Sequence, residues 1–506
     1  MSDRPSTEAE AARNTGPLPT TAKSRLVGID AARGLALIGM VAIHILPSWN
    51  IQTGKPTLTW LLFSGNAAAL FALLAGVGLA LMSGGRRPHE GRRMLADGVG
   101  LLVRAVLITL IGLTISAAIP DDPPAYSILV YYGMFFLLAI PFLRMRPVGL
   151  FVSAGVFCVV SPFLMQSLID EVPAWTVYNP TFSDVVQAPA ATFFQLLLTG
   201  TYPALAYLVY VLVGLGLGRL NLRSTANQVR ILVVGVGITI IARGASHILL
   251  YGLGGYDQLY LTSDFGRREL HDALIFGPGQ LPTNSWWWLA IWTPHTNTPF
   301  AIASSLGLAL AALGLFLLIG NRIAEWLKPL SAMGTMTLTL YSAHLLALSL
   351  EIHYDQPHLW FIIQIAVAIL FALAWQKWMG QGPLERGITT VVKGVRRLVM
   401  GRSRRRAGLV DAHGGSPGDA GGARGDSAHA GRGDATGDAP YRPAAEDVRR
   451  GDGRDPGGPS APAPWNAAPD GAPTQGDADP ARDDGPARGG HRGGHHGGAH
   501  RSPRRR

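Results

Sequence analysis

The sequence predicts an all-α integral membrane protein, a bundle of about ten transmembrane helices followed by a disordered C-terminal tail. Residues 26–380 form long apolar stretches with short polar breaks, whereas residues 401–506 are almost entirely Gly, Arg, Asp, Ala, Pro and His. The mean hydropathy of +0.23 is therefore the average of a very apolar body and a very polar tail. Because a helix needs roughly 20 apolar residues to cross the hydrocarbon core, the apolar stretches are long enough to span a membrane.

The apolar body divides into ten predicted spans. In chain order they cover residues 26–47, 60–82, 98–119, 126–143, 148–169, 202–218, 229–252, 299–320, 330–352 and 358–379. Residues 193–198, before the sixth span, are apolar but too short to cross alone. Three regions follow from this division: a disordered N-terminus at 1–24, a membrane domain at 25–390 and a basic disordered tail at 391–506. The tail has too few apolar residues to fold.

The charges of the loops predict the orientation. Basic residues follow the even-numbered spans, at Arg86, Arg87, Arg92, Arg93, Arg144, Arg146, Arg219, Arg223, Arg230, Arg322 and Lys328. Acidic residues occupy the intervening loops, at positions 121–122, 170–171, 184 and 355, and the one exception is the long loop between the seventh and eighth spans, which contains Arg267 and Arg268. Since cytoplasmic loops collect Lys and Arg, we expect a multi-pass protein of the cell membrane with both termini in the cytoplasm. The net charge of +10 then indicates contact with membrane lipids rather than nucleic acid.

Several functional classes are excluded at this stage. The single cysteine, Cys158, rules out an intramolecular disulfide and a cysteine-based metal site, and no metal is expected. The residues before Arg25 lack the apolar core of a signal peptide, so we expect the first apolar segment to remain in the membrane. The sequence contains no P-loop, dinucleotide-binding glycine pattern, metalloprotease motif or serine nucleophile elbow in a suitable context.

The first span contains ionisable residues that are costly in a membrane and therefore indicate function. Asp30 and Arg33 are three residues apart and share a helix face, which is also the arrangement of a purely structural ion pair. His44 lies eleven residues beyond Arg33, three turns and about 16 Å further along a similar face. We therefore predict Arg33 near the cytoplasmic side and His44 in the outer part of the membrane.

Other ionisable residues extend this pattern to two layers, with arginine towards the cytoplasmic side of the membrane and histidine towards the outside. Arg104 is predicted at the level of Arg33, whereas Arg243, His247 and His344 are predicted at middle to outer depth, and His295 at the mouth of the eighth span. Arginine suits phosphate binding and histidine suits general acid–base catalysis near neutral pH. The alternative for His247 and His344 is simple hydrogen bonding between helices.

Four tryptophans mark the segment between the seventh and eighth spans, residues 254–298. They are Trp286, Trp287, Trp288 and Trp292. They predict either an interfacial aromatic belt, which is the commoner role of Trp in membrane proteins, or a platform for a sugar.

The first-span motif resembles that of a known family of membrane acyltransferases. Residues 28–36 read GIDAARGLA and lead to His44, which is similar to the heparan-α-glucosaminide N-acetyltransferase-like and YeiB-like proteins, and more distantly to polysaccharide O-acetyltransferases. Further similar stretches are residues 71–76, 201–205, 294–299 and 382–386. The resemblance covers roughly residues 25–390.

The resemblance implies a helical bundle that transfers an acyl group, with acetyl as the first choice, from acyl-CoA to a hydroxyl or amine of an envelope sugar or glycan. His44 would be the catalytic base, with His295 as its rival, and Arg33 and Arg104 would bind CoA. Asp30, Arg243, His247 and His344 are the candidate supporting residues. The alternatives are a transporter or flippase that uses the same buried charges, and a structural or signalling protein that recruits partners through its basic tail.

Overall fold

The computed structural model describes residues 26–120, 125–175, 177–320, 322–352 and 355–411, the last ten by their backbone alone. Apart from one isolated bridge between Trp49 and Pro56, all regular structure within these ranges is helical, which confirms the predicted all-α class. The acidic pair at 121–122, residues 1–24 and the tail beyond residue 411 lie outside the described ranges, so the predictions made for them stay predictions.

Seventeen α-helices form the described part of the chain. They are α1 (Val27–Ile45), α2 (Leu58–Phe63), α3 (Asn66–Met82), α4 (Gly91–Ser116), α5 (Leu129–Ala139), α6 (Pro147–Leu168), α7 (Phe182–Gln187), α8 (Pro189–Phe194), α9 (Ala204–Gly218), α10 (Thr225–His247), α11 (Gly255–Thr262), α12 (Arg267–Phe276), α13 (Pro299–Ile319), α14 (Lys328–Gly334), α15 (Thr337–Leu348), α16 (Pro357–Met379) and α17 (Pro383–Asp411). Short 3₁₀ or π turns extend α5, α8 and α10.

Fewer helices than the predicted ten are long and apolar enough to cross a membrane. In the described ranges seven meet this condition: Val27–Ile45, Leu58–Met82, Gly91–Ser116, Pro147–Leu168, Thr225–Gly252, Pro299–Ile319 and Pro357–Gly401. An eighth span is possible if Pro189–Thr199 and Ala204–Gly218 count as one span bent by 48°. The predicted fourth and ninth spans are shorter apolar helices, Leu129–Arg144 and Thr337–Leu348.

The ninth predicted span is shorter because the chain breaks at Thr335 and Met336, between α14 and α15. Helix α14 lies so close to α1 that a Cβ atom added to Gly334 would stand 1.7 Å from the carbonyl oxygen of Asp30. Gly34 is equally tight against the carbonyl oxygen of Leu330, at 2.1 Å. Small residues permit this approach of two backbones inside a membrane bundle.

Helix α9 lies at the centre of the bundle. Every residue from Ala206 to Gly218 on it is buried, as expected for a helix that is apolar on all sides. Gly76 of α3 and Gly214 of α9 make the contact between these two helices close, since a Cβ on either would meet backbone at about 2 Å. By contrast, only Ala372 of α16 is buried, so α16 lies at the periphery.

Helix α17 continues through residue 411, past the domain boundary predicted at residue 390. Ile388 and Val392 are buried in the core of the bundle, and Arg396 forms an ion pair with Asp97 of α4. The sequence around them is too polar to suggest a membrane span, but one apolar face is enough to dock an amphipathic helix. The helical domain therefore includes at least residues 391–401 in addition to the predicted 25–390.

Candidate functional site

A cavity of about 400 Å³ lies between α1, α3, α4, α5, α14, α15 and α17. Its polar lining comes from Arg33, Arg104, Glu385, Tyr132, Tyr341, Thr335 and Thr337. The remaining wall is apolar and includes Met40, Phe71, Ile108, Leu129 and Phe136. Such a cavity, mostly apolar with a few convergent charged groups, is the usual form of a small-molecule site.

Arg33 and Arg104 face the same cavity from different helices. Arg33 donates to the Asp30 carboxylate at 3.3 Å and to the Leu74 carbonyl at 3.4 Å. Gly78 leaves room for the Arg33 guanidinium, because a Cβ atom there would stand 3.1 Å from its terminal nitrogen. Both arginines line the cavity, Arg33 from α1 and Arg104 from α4, and their equal depth in the membrane stays a prediction.

Arg104 has unused hydrogen-bonding capacity. Its Nε atom is buried without a hydrogen-bond partner among the described residues. Since a buried donor without a partner costs free energy, this guanidinium is suited to bind an anion that enters the cavity. Glu385 also lines the cavity, but its carboxylate accepts hydrogen bonds from the backbone of Leu338 and Thr339.

His44 and His344 form a hydrogen-bonded pair just beyond the cavity. Nδ1 of His44 and Nε2 of His344 are 3.1 Å apart, although 300 residues separate them in the sequence. Nδ1 of His344 lies 2.7 Å from the side-chain oxygen of Gln364. The pair adjoins the cavity because Tyr341, which lines it, has its ring centre 6.3 Å from each histidine ring. Met40, also in the lining, is one helical turn before His44.

His295, the predicted rival of His44, lies in the loop before α13 with its ring edge-on to Tyr202 at 5.6 Å. Both His295 and Asn297 adopt left-handed backbone conformations, with φ of 62° and 53°, which residues other than glycine adopt mainly at turns and strained sites. Burial lowers the pKa of His295 to about 4. Such a ring is neutral at physiological pH but is a weak base, which favours His44 for proton abstraction.

Arg243 and His247 lie away from the described cavity. Arg243 donates from Nε to the Ser304 hydroxyl at 2.9 Å and stacks over the Trp292 ring at 4.3 Å, in a small second pocket. His247 is exposed on α10 and packs against Tyr251. Neither residue lines the cavity that holds Arg33 and Arg104.

The tryptophan segment packs mostly through its own residues. Trp288 is fully buried and donates to Asn284 at 3.0 Å, while Trp286 is 58% exposed and packs against Phe163. Trp288 belongs to a small apolar cluster with Leu259 of α11 and others. Its burial means that at most part of the segment can act as an aromatic belt or a sugar platform.

Sequence reasoning missed Tyr132, Tyr341 and Gln364, and it gave Glu385 no role. Gln364 had a detectable signal, because it is an amide within an otherwise apolar stretch of the last predicted span. The tyrosines had none, since buried tyrosines are common in apolar helices.

The geometry suits the arginines to anion binding and the histidines to proton transfer. The cavity presents two guanidinium groups that can bind phosphate oxygens, and Tyr341 in its lining lies beside a pair of imidazoles that can accept and return a proton. The remaining lining of the cavity is mostly apolar. A site of this kind suits a donor that has a phosphate-rich head and a reactive group at the end of a long apolar arm.

Comparison with known proteins identifies a family. Residues 25–251 match the family described as heparan-alpha-glucosaminide N-acetyltransferase, catalytic. The match contains Asp30, Arg33, His44 and Arg104, and it ends in the last turn of the α10 span. It confirms the family resemblance that the first-span motif predicted, and it indicates an acetyltransferase-like membrane enzyme. The search of curated proteins found no match.

Proposed function

Because residues 25–251 match a catalytic N-acetyltransferase family, we propose that this chain is a membrane-embedded acyltransferase. It would move an acyl group, acetyl in the first instance, from cytosolic acyl-CoA to a hydroxyl or amine of an envelope sugar or glycan. The observation that carries the proposal is the cavity lined by Arg33, Arg104 and Tyr341, together with the His44–His344 pair, each of whose rings lies 6.3 Å from the Tyr341 ring.

The arginine end of the cavity would bind the donor. Phosphate groups of CoA would accept hydrogen bonds from Arg104, whose Nε lacks a described partner, and from Arg33, whose guanidinium is fixed by Asp30 and Leu74. The apolar wall would hold the pantetheine arm. Arg33 and His44 are eleven residues apart on the continuous helix α1, a rise of about 16 Å, so the two ends suit a long donor.

The histidine end would carry out the transfer. His44 would take the proton from the acceptor hydroxyl or amine as that group attacks the thioester carbonyl carbon. The carbon–sulfur bond then breaks, and the CoA thiolate leaves with the proton that His44 returns. The products are the acylated acceptor and CoA with a free thiol, so His44 ends in its starting state.

The location of the acyl donor determines how the protein is oriented in the membrane in this proposal. Acyl-CoA is a cytosolic compound, so the arginine end of the cavity would face the cytoplasm and His44 would lie towards the outside. The exposed Arg86 and Arg87, in the loop after α3, would then be cytoplasmic, in agreement with the charge pattern of the loops. Both termini would be cytoplasmic in a cell-membrane protein.

The test is calorimetric binding of acetyl-CoA to the purified protein, comparing wild type with Arg33→Ala and His44→Ala. We expect saturable binding by wild type, weakening by about tenfold or more in Arg33→Ala, and near-normal binding without turnover in His44→Ala. Arg230→Ala and His247→Ala are the matched controls, because both residues are exposed on α10. The absence of binding by well-folded wild type would overturn the proposal, as would equal weakening by the control variants.

A further inference from the structure

We propose that Gln364 of α16 is a positioning residue that sets the tautomer of His44 through His344. This inference rests on the proposed role of His44 as the base. Gln364 and His344 lie beyond the matched residues 25–251.

The three side chains form a chain of hydrogen bonds across three helices. The carboxamide oxygen of Gln364 is 2.7 Å from Nδ1 of His344, and Nε2 of His344 is 3.1 Å from Nδ1 of His44. The two imidazole planes are parallel to within 3°, an orientation that lets an N–H of one ring point at the in-plane lone pair of the other. His344 is 6% exposed, so its two ring nitrogens have these partners in the bundle interior.

The chemistry of the amide fixes the direction of these bonds. A carboxamide oxygen can only accept, so Nδ1 of His344 must carry its proton. In a neutral ring the other nitrogen, Nε2, then has a lone pair and accepts from Nδ1 of His44. Nδ1 of His44 is therefore the protonated nitrogen, and Nε2 of His44 carries the lone pair that can accept a proton.

This arrangement follows the general logic of an oriented base, in which a third group holds the imidazole in its reactive tautomer. The orienting group here is neutral, whereas hydrolytic triads use a carboxylate. A neutral amide suits an apolar bundle, because it avoids the cost of burying a carboxylate. With a neutral His344 ring, this amide leaves Nε2 of His344 as the acceptor towards His44.

The first test reads the tautomers directly, by nitrogen NMR of purified protein labelled with ¹⁵N-histidine at neutral pH. Signals of His44 and His344 are assigned from their disappearance in His44→Asn and His344→Asn. We expect wild type to show a protonated Nδ1 on both rings, and Gln364→Leu to show a mixture of tautomers. A protonated Nε2 on both rings in wild type would overturn the proposal, since the Gln364 amide nitrogen would then be the donor.

The second test is the pH dependence of turnover in Gln364→Glu, which conserves the shape of the side chain. A carboxylate at this position favours the doubly protonated His344 ring, which donates from both nitrogens and forces His44 into the opposite tautomer. We expect the acid limb of the pH–rate profile to move to higher pH by about one unit or more. Among the described residues, Tyr341 is the other titratable side chain whose ring contacts the two histidines. It is unchanged in this variant.

Gln376→Glu is the matched control, because Gln376 lies on the same helix twelve residues later. An unchanged pH profile in Gln364→Glu, or an equal shift in Gln376→Glu, would overturn the positioning role. The NMR experiment needs neither donor nor acceptor. If acetyl-CoA fails to bind but the tautomers are as expected, the proposed function fails while the hydrogen-bonding assignment stands.

Discussion

The carboxylate of Glu385 lies 2.6 Å from the hydroxyl of Thr339, a contact between the first turns of α17 and α15. Its second oxygen accepts the backbone N–H groups of Leu338 and Thr339, and the Thr339 hydroxyl in turn accepts from the backbone N–H of Leu384. The two helix starts therefore cap each other. Helix α15 carries Tyr341 and His344, so this contact fixes the helix that joins the cavity to the histidine pair.

Loss of this cap should destabilise the bundle. In Glu385→Ala the N–H groups of Leu338 and Thr339 lose their acceptor, and we expect the free energy of unfolding to fall by about 1–2 kcal/mol. The measurement is thermal unfolding of detergent-solubilised protein. Glu325→Ala is the control, because Glu325 is an exposed glutamate whose described ion pair is with the neighbouring Lys328. Equal melting temperatures for Glu385→Ala and wild type would contradict the capping role.

A methyl group at position 78 should disturb donor binding without disturbing the fold. Gly78→Ala brings a Cβ atom to 3.1 Å from the Arg33 guanidinium, which is the end of a flexible side chain and can move aside. We expect the dissociation constant for acetyl-CoA to rise by up to about tenfold, or 1.4 kcal/mol. Gly237→Ala on α10 is the control, since its Cβ would meet no atom within 4 Å. The prediction is wrong if both alanine variants bind as wild type does.

The ion pairs of Asp97 should hold α17 against α4. Asp97 is 7% exposed and accepts from His89 at 2.6 Å and from Arg396. Removing Arg396 leaves the Asp97 charge with one described partner, so Arg396→Ala should cost about 1–3 kcal/mol of local stability. Amide hydrogen exchange at residues 388–401 measures this loss, because the exchange rate rises about tenfold for each 1.4 kcal/mol of lost local stability. Arg397→Ala, at an exposed neighbouring position, should exchange like wild type.

His295 should make the protein less stable in acid. Its pKa is about 4 in the folded protein, below the 6.5 of an unperturbed histidine. Between these pH values the unfolded chain binds a proton that the folded chain excludes. Stability is therefore highest above pH 6.5 and falls as the pH is lowered towards 4, by up to about 3 kcal/mol.

Melting temperatures of wild type and His295→Asn between pH 4.5 and 7 measure this effect. Asparagine tolerates the left-handed backbone at this position, so the variant removes the titration with little strain. We expect the loss of stability in acid to be smaller in His295→Asn. Parallel curves for the two proteins would show that His295 is not responsible.

The sequence predicted the features that depend on local pattern. Long apolar stretches gave the helical class, and ionisable residues in the first span pointed to Asp30, Arg33 and His44, because charge inside a membrane is costly wherever it occurs. Its position near the start of the third apolar stretch pointed to Arg104 in the same way. These inferences needed no knowledge of which helices are neighbours.

The features that depend on distant parts of the chain were not predictable. The break between α14 and α15 lies beside two long-range contacts, the approach of Gly334 to Asp30 and the cap from Glu385. Neither contact leaves a trace in the local sequence of 330–352, which reads as one apolar stretch. The pairing of His44 with His344 likewise joins residues 300 positions apart, so it could not be inferred from spacing.

The position of α17 has a consequence for biosynthesis. Arg33 and Arg104 enter the membrane early in translation, whereas Glu385 and Ile388, which line the same cavity, are synthesised about 280 residues after Arg104. Until then the cavity lacks part of its wall and α15 lacks its cap. A nascent or prematurely terminated chain would thus carry the family motif without a closed site, and the proposed activity would begin only when the ribosome has passed the last helix.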